Sequence, residues 1–126
     1  MPTNLDSAGN LEVDDTAATT NGAIPFLLRN VTTAQAIKTT PGELYDLTIN
    51  NFSGATAWIQ IFNQAAPVLG TTLPVLEFEV PASTDFAFPI SAVGIAFSTA
   101  IYIASTTAEY GSTVSAAGVT VTGSKC

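Results

Sequence analysis

From Ala23 onward no stretch of about ten residues repeats its apolar side chains at the 3.6-residue spacing of an amphipathic helix. The apolar residues come in short runs of strand length, several with period two, separated by Gly, Pro, Asn or Ser. A chain punctuated in this way has many half-apolar strands to cover. It covers them by packing two sheets face to face or by closing one sheet into a barrel.

The runs can be read in order. Ile24 to Val31 (IPFLLRNV) is apolar on both faces and suits a strand covered on both sides or docked on a partner. After the Pro41-Gly42 turn signal, Glu43, Tyr45, Leu47 and Ile49 alternate with Leu44, Asp46, Thr48 and Asn50, and Asn50 to Gly54 reads as a turn. In Ala57 to Asn63, Trp58, Gln60 and Phe62 share one face of a central strand, with Ile59 and Ile61 on the other. Gln64 to Leu73, holding Pro67 and Gly70, is a connecting loop. Beyond it Val75, Glu77 and Glu79 point one way, and Leu76, Phe78 and Val80 the other.

Asp85 to Pro89 is a further strand, while Gly94 to Ser98 and Ile101 to Ser105 are two strands or one kinked strand. The polar stretch Thr106 to Gly118 precedes a closing strand at Val119 to Thr122 and a short tail, Gly123 to Cys126. Val31 to Lys38, with Ala34, Ala36 and Ile37, is the one segment hinting at a helical period. The expectation is an all-β domain over 23–126, an antiparallel β-sandwich, jelly-roll-like or related, of about seven to nine strands.

Residues 1–22 have a different texture, small, polar and acidic, with Leu5, Leu11 and Val13 as their sizeable aliphatics. They read as an extended or flexible N-terminal arm. A chain of 126 residues is otherwise the size of one domain.

The chemistry available to this chain is narrow. Histidine is missing, which removes Ser-His and Cys-His nucleophile pairs and the commonest zinc ligand. Glu77 and Glu79 share a strand face and form a local carboxylate pair, but such a pair is more often a solvated edge that discourages strand pairing. Asp14-Asp15 lacks the spacing of a calcium loop, and no phosphate-binding glycine motif is present. Asn30-Val31-Thr32 and Asn51-Phe52-Ser53 match the glycosylation sequon without a secretion signal beside them.

Trp58, Tyr45, Tyr102 and Tyr110 could stack on sugar rings, although the apolar company of Trp58 points to core packing. Cys126 is the single cysteine, so no internal disulfide forms and a mobile thiol at the last position makes a poor nucleophile; an intermolecular disulfide stays open. No catalytic residue, metal site or cofactor is expected.

Ten acidic residues against three basic ones, Arg29, Lys38 and Lys125, give a formal charge of −7, which repels nucleic acid and anionic membrane alike. No apolar run reaches the roughly 18 residues needed to cross a bilayer, and synthesis in a cytoplasm is the expectation.

The order of segments resembles a known pattern. Lys38 to Tyr45 (KTTPGELY), Thr48 to Asn51 (TINN) and Trp58 to Asn63 (WIQIFN) resemble small β-sandwich virion proteins of tailed bacteriophages. The resemblance runs on through Ala66 to Thr72 (APVLGTT) with Pro74, Val80-Pro81-Ala82, and Gly94 to Ile101 (GIAFSTAI), covering roughly Ile37 to Thr122. These are turns and strand cores, and they carry over no catalytic residue. The chain departs from the pattern in its long acidic N-terminal segment and in ending at Cys126 without an aromatic-containing final strand.

Among such proteins the chain looks most like a capsid cement, or decoration, protein on the capsid exterior. That resemblance implies the major capsid protein shell as partner and a homo-dimer or homo-trimer at a local symmetry axis. The expected partner contacts are Leu5, Leu11 and Val13 of the arm with Phe26 and Leu28 of the first strand. A tail adaptor or host-recognition module, and a lectin-like carbohydrate-binding domain, are the alternatives.

Overall fold

A computed structural model describes residues 23–88, 90, 94–115 and 117–126. The candidate contacts Leu5, Leu11 and Val13, and the arm as a whole, lie outside the described residues. Nine strands are present among those described: β1 (Ile24–Leu28), β2 (Gln35–Lys38), β3 (Gly42–Asn51), β4 (Ala57–Phe62), β5 (Leu76–Val80), β6 (Thr84–Phe88), β7 (Ile95–Phe97), β8 (Ile101–Thr106) and β9 (Val119–Lys125). The expected all-β sandwich is what forms, and the described residues contain no helix long and apolar enough to cross a membrane.

The pairing is nested and antiparallel: β1 with β9, β2 with β8, β3 with β6, and β4 with β5. Such nesting is a long hairpin folded over on itself. It rolls into one sheet of order β1-β9-β3-β6, with β7 also on β3, and a second of order β2-β8-β4-β5. This is the double-sheet jelly roll. β6 lies along Leu47 to Asn51 and β7 along Gly42 to Leu44, both on the side of β3 away from β9. Together they make one interrupted edge.

The inner faces supply the core. Leu44, Leu47, Ile49, Val119 and Val121 of the larger sheet meet Ile37, Ala57, Ile59, Ile61, Ile101 and Ile103 of the smaller, all buried. Each of the Leu, Ile and Val side chains contributes on the order of 1.5–3 kcal/mol through the water it leaves. At one side the sandwich closes with rings: Phe78 of β5 lies 5.1 Å from Phe86 and 5.1 Å from Phe88 of β6, stacked on the latter. β5 and β6 therefore share one side of the sandwich, and the edge strands β1 and β2 form the other.

Three details differ from the sequence reading, and one open alternative is settled. The Val31 to Lys38 segment holds no helical turn; it carries strand β2, because Ile37 has a core to enter on one face only. In β3 the alternation changes phase: Leu44 is buried along with Leu47 and Ile49 because the register against β9 shifts between Leu44 and Asp46, a bulge that turns Leu44 inward. Of the two readings open for Gly94 to Ser105, the two-strand one holds: Ile95–Phe97 and Ile101–Thr106 are separate strands in different sheets. The chain end is no tail, since β9 runs to Lys125 and Cys126 exchanges backbone hydrogen bonds of 2.9 and 2.8 Å with Glu43.

Candidate docking surface

Trp58 stands apart from the hydrophobic core. It is half-buried on the outer face of β4, in register with Glu79 of β5 and Thr106 of β8. One row along, Gln60 lies between Glu77 and Ala104. These residues alternate with Ile59 and Ile61, whose aliphatic side chains take the inner face as expected. The apolar company of Trp58 in sequence is thus its neighbours' core, reached from the opposite side of the strand.

Two connections fold over this outer face. The one between β4 and β5 turns through Val68, whose carbonyl accepts from Thr71 N (3.0 Å) and Thr72 N (2.8 Å), and then extends the ladder by Val75 N donating to Ile61 O at 2.8 Å. The one between β8 and β9 turns at Tyr110, which adopts a left-handed φ of 49°. That conformation is held by the Glu77 carboxylate of β5 and by the backbone of the other connection: Tyr110 N donates to Glu77 Oε2 (2.7 Å), and Tyr110 OH donates to the Thr71 carbonyl (3.0 Å).

Beneath the turn, Gln60 is wholly buried. Its Nε2 donates to Thr106 Oγ1 at 2.9 Å and to Gly111 O at 3.2 Å, which fixes the amide orientation because a carbonyl can only accept. Gln60 Oε1 is buried and unpaired among the described residues.

Between the two connections runs a shallow groove of about 240 Å³, lined by Leu73, Pro74, Val75, Leu76, Glu77 and Tyr110. Leu73 is 73% exposed and Val75 52%, large values for aliphatic side chains on so small a domain. One carboxylate, Glu77, lines it, with one oxygen engaged by Tyr110 N and further lone pairs available to a donor. Glu77 thus has a positioning task, holding a strained turn, and Glu79 on the same face is exposed. The described residues contain no group of three or more acidic or cysteine side chains set to hold a metal ion.

Of the candidate contacts in β1, Phe26 and Leu28 are half-buried and pack against the core. Phe26 lies opposite Gly123 and fills the space that the glycine leaves. The exposed aliphatics of β1 are Ile24 and Leu27, the latter at 50%. Sequence reasoning missed Leu27, Leu73 and Val75. The signal was there for Leu73, a large aliphatic in a connection that has no strand face to bury it.

Near the chain end, the Tyr45 phenol is raised above its ordinary 10.0 by partial removal from water, then by the Glu43 carboxylate and Cys126. Compared with protein-family models, with curated proteins and with solved structures, the chain finds no match.

Proposed function

We propose that this chain is a non-enzymatic virion structural protein, a cement or decoration protein that binds the outer face of a major capsid protein shell and holds neighbouring capsomers together. A jelly roll hosts many functions, viral capsid and lectin domains among them, so the fold alone does not choose. The reading is carried by Phe52 and Val68, 70% and 59% exposed, apolar side chains that the small domain leaves for a partner to cover. It is supported by the resemblance to small phage virion proteins over Ile37 to Thr122.

The physics of the role is additive contact area. A shell packed with DNA is under outward pressure, and a protein bridging two capsomers adds surface that must be exposed before they part. An N-terminal segment with Leu5, Leu11 and Val13 as anchors would add reach to the rigid domain at an entropic cost.

The test is co-sedimentation with tailless expanded shells, titrated to saturation, using the full chain and one lacking residues 1–21. Saturable binding at a copy number matching a symmetry axis, weakened by the deletion, is expected. No binding to expanded shells overturns the reading and moves the protein to the tail or to glycan recognition. The glycan reading has its own observation, Trp58 half-exposed beside Glu79 on an outer sheet face. It requires a sugar on a glycan array whose binding Trp58→Ala abolishes.

A further inference from the structure

Among the described residues the basic side chains stand on one side of the sandwich, while the acidic ones are spread over β3, β5, β6 and the connection between β8 and β9. All three cations stand at the β1–β2 side: Arg29 directly follows β1, Lys38 ends β2, and Lys125 lies opposite Ile24 of β1. Glu77 and Glu79 on β5 and Asp85 on β6 stand at the opposite side. The two lysines are engaged within the fold, Lys38 Nζ donating to Pro41 O at 2.8 Å and Lys125 Nζ to Ile37 O. Arg29 is exposed and makes no ion pair or hydrogen bond among the described residues.

Some of the exposed apolar side chains adjoin these charges, Leu27 beside Arg29, and Leu73 and Val75 beside Glu77. The sequence spacing matches as well: Leu27 and Arg29 are two residues apart at the exit of β1, and Val75 and Glu77 are two apart at the entry of β5, with Arg29 and Val75 in the bends just outside their strands.

We propose that the groove between Leu73–Glu77 and Tyr110 receives the Leu27–Arg29 segment of a second copy of this chain. Leu27 covers Leu73 and Val75, and the Arg29 guanidinium meets the oxygens of Glu77 not engaged by Tyr110 N. A guanidinium suits this place because its planar fork matches a carboxylate and its stem lies along apolar surface. A sugar suits it less, since Leu73, Pro74, Val75 and Leu76 offer no polar side-chain group and the Tyr110 hydroxyl is already donating to Thr71 O.

Donor segment and groove are on opposite sides of the sandwich, so the contact is head-to-tail, and its closed form is a ring of three or more copies rather than a two-fold dimer. The inference deepens the proposed reading by naming the self-contact. It is measured on the protein alone, so failure to bind shells leaves it standing, and failure to form rings leaves shell binding to be judged separately.

The experiment is sedimentation equilibrium of the full chain up to about 1 mM, a range that detects weak contacts. Rings of three or more are expected, weakening as salt is raised. Arg29→Glu raises the dissociation constant at least about tenfold, as does Glu77→Gln, which removes the charge while keeping an acceptor for Tyr110 N. The double variant Arg29→Glu with Glu77→Arg restores association, the pair being exchanged in sense. Circular dichroism of each variant certifies its fold; should Glu77→Arg unfold, Leu73→Ser at an exposed position replaces it and weakens the ring.

A wild-type chain that is monomeric throughout, or an oligomer unmoved by Arg29→Glu and Glu77→Gln, overturns the proposal. So do variants that lose shell binding while keeping their ring, because the groove then serves the shell.

Discussion

A single buried amide ties three parts of the fold together. Asn51, at the end of β3, is 1% exposed; its Nδ2 donates to Ala55 O (3.0 Å), Val80 O (3.0 Å) and Pro81 O (3.2 Å), and its Oδ1 accepts from Ser53 N (3.0 Å) and Ser53 Oγ (2.6 Å). The side chain therefore closes the turn after β3 and fastens it to the exit of β5, across the gap between sheets. In sequence Asn51 reads as part of a turn and of a glycosylation sequon; its burial and full set of bonds leave the amide no access to a modifying enzyme. Asn51→Ala strands buried carbonyls and the Ser53 donors, which costs about 2–4 kcal/mol. Urea unfolding should show that loss with an unchanged m-value, since the surface exposed on unfolding is the same. Asn51→Asp should be comparably destabilising at neutral pH, because a carboxylate would face three carbonyl oxygens that it cannot bond.

At the scale of elements, the bulge in β3 shows what period-two reading can and cannot deliver. Clean alternation in β4 and β5 gave their faces correctly, since Ile59, Ile61, Leu76, Phe78 and Val80 turn inward as their spacing requires. β3 could not be read the same way, because its phase change depends on a partner far along the chain. Gly123 of β9 sits where the bulged backbone comes close: a Cβ there would collide with the Asp46 carbonyl and lie 2.8 Å from the Phe26 ring. The same glycine made β9 look finished at Thr122. The groove was hidden for a related reason, its halves coming from connections 63–75 and 107–118 that only the sheet brings together. Gly123→Ala should cost about 2–3 kcal/mol, since backbone on one side and a packed ring on the other must shift. Gly54→Ala, where a Cβ meets nothing within 4 Å, should leave stability within about 1 kcal/mol of wild type. Parallel urea titrations of the two variants check the contrast.

For the whole molecule, the nesting of pairs governs how the fold is reached. The first strand pairs with the last and the second with the eighth, so the outer ladders close loops of most of the chain. The inner pair β4–β5 closes a far shorter one and is flanked by Val75 N donating to Ile61 O. Loop closure opposes the outer pairs before their contacts form, and topologies dominated by distant pairings fold in milliseconds to seconds. The hairpin β4–β5, with β8 docking on Ile59 and Ile61 and β3 covering them, is then the natural nucleus, and β1 is the natural last arrival. β1 is an edge strand with one neighbour and with Ile24 and Leu27 exposed, so little burial holds it. Truncation in the two places separates these roles. Ile61→Val should slow refolding and change unfolding little, because its contacts exist in the transition state. Leu28→Ala should leave the refolding limb of the chevron nearly unchanged and accelerate unfolding, because β1 adds its half-buried contacts after the barrier is crossed. Refolding rates equal for the two variants, or slowed more by Leu28→Ala, would place closure of the outer ladder at the start of folding instead.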